Sequence, residues 1–211
     1  MRKVYFLFIL LTLFSSCIKS QNNKETLKII GGPCEGCEAI YEYGDRHLKN
    51  VDTLPDFNHS DHKIKISGTV YQNDGKTPAE GVIIYIYHTN DKGIYPSTSE
   101  SKGWERRHGY LRGWVKTKED GEYTFYTLRP ASYPNTTIPQ HIHVTVKESD
   151  KNEYYLDDFH FDDDPNLPKR MKTKESPRGG SGVVSLQSNG LLSEASRDII
   201  LGLNIPNYPK K

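Results

Sequence analysis

Beyond its first residues this chain has no long apolar run. That excludes spanning helices of ~20 apolar residues from everything after Phe14. It also lacks an excess of either charge: 28 Lys and Arg stand against 27 Asp and Glu, a formal net charge of +1. A nucleic-acid binder needs a basic face, and this balance does not supply one. Only 3 cysteines are present, so no four-cysteine zinc site can be assembled. No Ser/Gly-rich or charge-run linker divides the middle, and no long amphipathic helix is visible. The 211 residues therefore read as one sizeable β domain.

What is present begins with a targeting pattern. Arg2 and Lys3 precede an apolar core, Val4 to Phe14, that is too short for a spanning helix. Phe14-Ser15-Ser16-Cys17 follows and resembles a bacterial lipobox, in which the cysteine is lipidated and becomes the first mature residue. The expectation is a lipoprotein signal peptide over 1–16, lipidation at Cys17, a polar tether over 17–28 and the folded domain over 29–211. Such a protein is exported and held by its lipid at a bacterial membrane, facing the periplasm or the cell surface. The alternative is an ordinary secretory signal followed by a chance cysteine. Without residues 1–16 the formal charge moves from +1 to −1, because the segment holds two cations and no acid.

Cys34 and Cys37 are then the only remaining pair, in an oxidising compartment. A Cys-x-x-Cys can be a redox motif or half a zinc site. No second pair and no thioredoxin-like βαβ pattern support those uses, so a local disulfide in a Gly-rich turn is favoured. His59 and His62 read as solvated loop residues.

From Lys63 the chain alternates polar and apolar residues with the period of a half-buried strand. Strands are predicted over Lys63–Tyr71, Gly81–His88, Leu111–Lys118, Glu122–Thr127, His141–Lys147 and Glu153–Phe161. Val183–Leu186 with Arg197–Leu201 completes the set. Asp74-Gly75 and Asp120-Gly121 supply turns. Short, evenly spaced strands with such turns predict an all-β, antiparallel β-sandwich.

Within it, His141-Ile142-His143 places two imidazoles on one face of one strand, since strand side chains repeat every second residue. Tyr133 precedes the pair on a proline-rich turn. Together with Tyr87-His88-Thr89-Asn90, Gly93-Ile94-Tyr95, Asp120-Gly121-Glu122-Tyr123, Leu128-Arg129-Pro130, Tyr133-Pro134 and Pro139-Gln140-His141, this order resembles the intradiol ring-cleavage dioxygenases, the catechol and protocatechuate dioxygenases among them. The likeness runs in one register from about 63 to 165 and continues more weakly towards the C-terminus, where it is to small exported relatives.

The resemblance implies a non-haem Fe(III) held by Tyr95, Tyr133, His141 and His143. It also implies a catecholic substrate cleaved with O2 between its hydroxyls, with Tyr133 leaving the metal and acting as a base. A trivalent ion favours anionic oxygen, and a bound cation strips a phenol of its proton. No carboxylate is expected to complete a two-histidine-one-carboxylate Fe(II) triad.

The chain departs from the family's pattern in four ways. Ile138 stands where an arginine is usual, and the loop from Tyr133 to His141 is shorter. Asp158 corresponds to a glutamine of some members, and the helical dimerisation segment of the catechol enzymes is missing. Arg106, Arg107, Arg112 and Arg178 are candidates for the absent cation. The sequence leaves the oligomeric state open. The competing reading is a non-catalytic β-sandwich module of carbohydrate-binding or carboxypeptidase-regulatory type, which has no need to assemble Tyr95, Tyr133, His141 and His143.

Overall fold

A computed structural model describes residues 29–209. The expected signal peptide over 1–16, lipidation at Cys17 and tether over 17–28 lie outside the described residues. Among those described, no helix is long and apolar enough to cross a membrane.

Two sheets face each other as a β-sandwich. The first has the order β1 (Val51–Thr53), β5 (Glu122–Leu128), β2 (Lys63–Tyr71), β11 (Leu192–Ser196), β10 (Gln187–Asn189), with β12 (Ile199–Ile200) also on β2. The second runs β4 (Arg112–Lys116), β3 (Ile83–Tyr87), β6 (His141–Lys147), β8 (Phe159–Phe161), β9 (Val183–Val184), with β7 (Tyr154–Tyr155) also on β6. The central pairs β2–β5, β3–β4 and β3–β6 are antiparallel. Short parallel pairings join β1 to β5, β11 and β12 to β2, and β9 to β8.

Alternation explains the inner faces. Ile64, Ile66 and Val70 of β2 meet Ile84 and Ile86 of β3 and Ile142, Val144 and Val146 of β6 in one core. Burying each such side chain stabilises the fold by about 1.5–3 kcal/mol. On β3 the outward residue Tyr85 is buried as well. It packs with Trp114 against Ala39 and Ile40, on a 3-10 turn over Cys37–Tyr41 that covers the outer face of the second sheet. A disulfide joins Cys34 to Cys37 at the start of this cover.

Two features differ from the sequence expectation. The predicted strand Glu153–Phe161 is broken at Leu156–Asp158 into β7 and β8. There the buried Arg197 guanidinium takes the Asp157 carbonyl (2.7 Å), which a continuous ladder would have used. The strands β1, β10 and β11 were not anticipated. They are short, β1 and β10 are the edge strands of the sheet, β10 is exposed throughout, and β11, between β2 and β10, buries only Ala195.

His88, at the end of β3, is fully buried and neutral. Its Nδ1–H donates to the Thr89 carbonyl and its Nε2 accepts from the Thr127 hydroxyl, both at 2.7 Å. Burial lowers its pKa to about 4, whereas an unfolded histidine titrates near pH ~6.5. Between these values the unfolded chain binds more protons. Stability is therefore full above pH ~6.5 and falls on acidification through the folded value, by about 3 kcal/mol from this group. Urea titrations at neutral and acid pH should show a steeper acid loss for the wild type than for His88→Asn. Equal losses would discard His88 as the cause.

Candidate metal centre

Three chain segments build the site. After β3, the Asn90 side chain accepts backbone N–H groups from Lys92 (3.0 Å) and Ile94 (3.1 Å), closing a tight turn that presents Tyr95. The second segment carries Tyr133. It is stitched to the first, as Thr89 Oγ1 donates to the Ala131 carbonyl (2.7 Å) and the Ala131 N–H to the Asn90 carbonyl (3.0 Å). Gly93, at φ +73°, lets the two turns touch: a Cβ there would lie 2.0 Å from the Ser132 carbonyl oxygen. The third segment is β6. Ile142 and Val144 face the core, so His141 and His143 face outward towards the tyrosines.

The four groups meet in an unbroken run of three contacts. His143 Nε2 is 2.9 Å from the Tyr95 hydroxyl, which is 2.5 Å from the Tyr133 hydroxyl, which is 3.1 Å from His141 Nε2. His141 Nδ1 donates to the Pro139 carbonyl (2.7 Å), so its Nε2 carries the lone pair. Burial pushes the His141 pKa down, with the charge of His143 acting in the same direction, which keeps it neutral. Burial also pushes both phenols up. For Tyr95 the hydrogen bond and charge of Tyr133 add to it, whereas for Tyr133 the hydrogen bond from Tyr95 works against it. Without a cation both phenols keep their protons.

Two phenol oxygens and two imidazole nitrogens converging within hydrogen-bond distance of one another are a donor set suited to a hard trivalent ion such as Fe(III). Each phenolate formed would offset part of its charge.

The structure corrects one expectation. A carboxylate does stand beside the histidines: Asp158 Oδ1 lies 3.2 Å from His143 Nδ1. Single donor atoms of His141, His143 and Asp158 fall within 4.8 Å of one another. Burial alone would raise the Asp158 pKa, but the charge and hydrogen bond of His143 outweigh it and leave the carboxyl below its ordinary value.

Other candidates fall elsewhere. Ile138 is exposed and supplies no cation. Arg106 bonds the Ser101 carbonyl, Arg107 pairs with Glu35, and Arg112 pairs with Glu42 and Glu105. Arg178 lies 3.5 Å over the Tyr155 ring. His59 and His62 are exposed. Asp163 and Asp164, just after β8, anchor the strand that carries the histidines. Asp164 accepts the Gln140 N–H (2.6 Å), and Asp163 pairs with Arg129 (2.7 Å), which also holds the Gln140 side chain. Trp114 is core packing, and Trp104 lies against His108.

Sequence reasoning missed an aromatic stack behind the centre. His108 lies on Tyr87 (3.7 Å between centroids) and Tyr87 lies on His143 (4.5 Å). The outward alternation of Tyr85 and Tyr87 on β3 was the available signal.

Two cavities of about 280 Å³ adjoin the centre and share Tyr155 and Asp158. One is bounded by His160, Met171, Lys172 and Lys174, the other by the Cys34–Cys37 loop, Tyr87 and His143.

Residues 40–179 match the family model described as Dioxygenase. The chain is 31% identical over 210 residues to catechol 1,2-dioxygenase 1 of Acinetobacter lwoffii, covering 88% of this chain and 63% of that protein. It is 24% identical over 154 residues to the protocatechuate 3,4-dioxygenase beta chain of Burkholderia cepacia, covering 68% and 63%. It thus spans less than two thirds of these curated relatives. Among solved structures, the dioxygenase domain of a dioxygenase–carbohydrate-binding fusion from Streptomyces sp. SirexAA-E superposes with a TM-score of 0.55. That match has 22% identity and covers 80% of this chain and 95% of that one. Catechol 1,2-dioxygenase from Acinetobacter sp. ADP1 gives a TM-score of 0.51 at 19% identity, covering 73% and 58%. At these identities the structures speak to the fold, a β-sandwich. With the family model matched over residues 40–179, the chain belongs to the intradiol ring-cleavage dioxygenase family.

Proposed function

We propose that this chain is a non-haem Fe(III) dioxygenase that opens a catechol-type aromatic between its two hydroxyls with O2. The observation that carries this reading is the convergence of Tyr95 Oη, Tyr133 Oη, His141 Nε2 and His143 Nε2. A bound ferric ion would supply Lewis-acid polarisation and a template for the two catechol oxygens. The protein's part is positional and protonic. The Pro139 carbonyl holds the His141 lone pair towards the centre. Tyr95 is the more buried phenol, held between Tyr133 and His143. Tyr133 is the less buried phenol, and once a bound ferric ion had displaced its proton, the phenolate would be the base placed to take a proton from an arriving catechol.

The test is a visible absorption spectrum of residues 18–211 after ferric loading, before and after anaerobic addition of catechol. A broad phenolate-to-iron band that shifts with catechol is the expected result. A colourless, iron-free protein would remove the dioxygenase reading and favour the binding-module alternative.

A further inference from the structure

We propose that Asp158 is the positioning residue of His143, fixing through its carboxylate which imidazole nitrogen is presented to the metal. This rests on the ferric reading above only for what is presented, not for the positioning itself.

The two histidines are held differently. His141 gives its Nδ1–H to a neutral backbone carbonyl, that of Pro139. His143 faces a carboxylate, Asp158 Oδ1, at 3.2 Å. A carboxylate accepts, so Nδ1 carries the hydrogen and Nε2, 2.9 Å from the Tyr95 hydroxyl, is left with its lone pair. Asp158 lies on the Nδ1 side of the ring and the four-atom convergence on the Nε2 side. The carboxylate therefore supports the ligand rather than joining it. Its negative charge also makes His143 the more electron-rich of the two imidazoles.

The backbone around Asp158 is held as a support should be. The Arg197 guanidinium, 4% exposed, donates to the carbonyls of Asp157 (2.7 Å) and Gly180 (3.2 Å). Lys174 clamps the Asp157 carboxylate at 2.7 Å. Gly182 presses against the same segment so closely that a Cβ would sit 2.1 Å from the Asp158 carbonyl oxygen. The interruption between β7 and β8 is thus fastened from three directions, and it is what turns the Asp158 side chain towards β6.

The decisive measurement needs no metal. Long-range proton–nitrogen NMR of the metal-free protein, above the ordinary imidazole titration range, reads the His143 tautomer. The wild type is expected to show the Nδ1–H form. Asp158→Asn, whose amide oxygen still accepts, should keep it, and Asp158→Ala should shift His143 to a mixture. Ferric affinity, read by chelator competition, should then fall roughly 10–100-fold in Asp158→Ala. In Asp158→Asn it should change little, while the phenolate-to-iron band moves to longer wavelength because the metal loses an electron-rich donor. One tautomer in all three proteins would overturn the proposal. So would equal loss of iron from the Asn and Ala variants, which would make Asp158 a ligand. Should the wild type bind no ferric ion, the dioxygenase reading fails, and the tautomer result alone still decides the role of Asp158.

Discussion

His141→Ala is expected to yield a folded protein that no longer retains ferric ion. Loss of an outer partner of a metal-bound histidine costs roughly 10–100-fold in affinity, so loss of the donor nitrogen itself should exceed about 100-fold. Ile142 and Val144 keep β6 in the core without this imidazole, and the pairing of β6 with β3 does not involve it. Tyr133→Phe is the sharper partner experiment, since it removes one oxygen and keeps the ring. It should keep weakened ferric binding with an altered band, and lose roughly 100-fold or more in ring cleavage through the missing proton acceptor. Chelator competition, thermal melting and oxygen uptake measured on the same preparations separate these effects. Unchanged iron content in either variant would end the assignment of that residue.

Gly93→Ala should damage stability and the metal site together. The position has φ +73°, where an L-residue is strained by about 1–2 kcal/mol. Its Cβ would also meet the Ser132 carbonyl oxygen at 2.0 Å. That oxygen cannot retreat alone, because the turn is tied to Asn90 and Thr89 through Ala131. The two turns must separate, and with them Tyr95 and Tyr133. A total of about 3 kcal/mol is expected, combining strain with overpacking. Gly81→Ala is the control. Its φ is +77°, but the nearest atom to an added Cβ is 3.9 Å away, at the end of the Lys116 side chain. Strain alone should cost it about 1–2 kcal/mol, with no change in iron binding. Matching urea midpoints for the two variants would show that the close approach at Gly93 carries no energetic weight.

The strands that proved legible in sequence are those whose burial depends on their own alternation. In β2, Ile64, Ile66 and Val70 point inward whatever lies elsewhere in the chain. In β11 only Ala195 is buried, so its polar residues gave no sign that β2 would need a neighbour. The same distinction holds at the candidate site. The His141 and His143 pairing on one face follows from the strand period, and Tyr95 and Tyr133 followed from the family resemblance. Asp158 could not be placed, because its direction depends on a strand break enforced by Arg197, which lies on the far side of the β10–β11 hairpin. The stack of His108 on Tyr87 likewise depends on a short helix, α1 (Glu105–His108), folding back over β3.

The parallel contact of β2 with β11 sets an order on how the molecule is made. Lys63–Tyr71 leaves the ribosome long before Leu192–Ser196. A sheet closed by partners so distant in sequence closes slowly. Until it closes, one side of β2 is a row of unpaired N–H and C=O groups open to any neighbouring nascent chain. Lys63 and Lys65, which alternate with the buried isoleucines, keep such neighbours apart. When β11 arrives it brings Glu194 to within 3.0 Å of Lys65, so the charge that guarded the open edge becomes part of the contact that closes it.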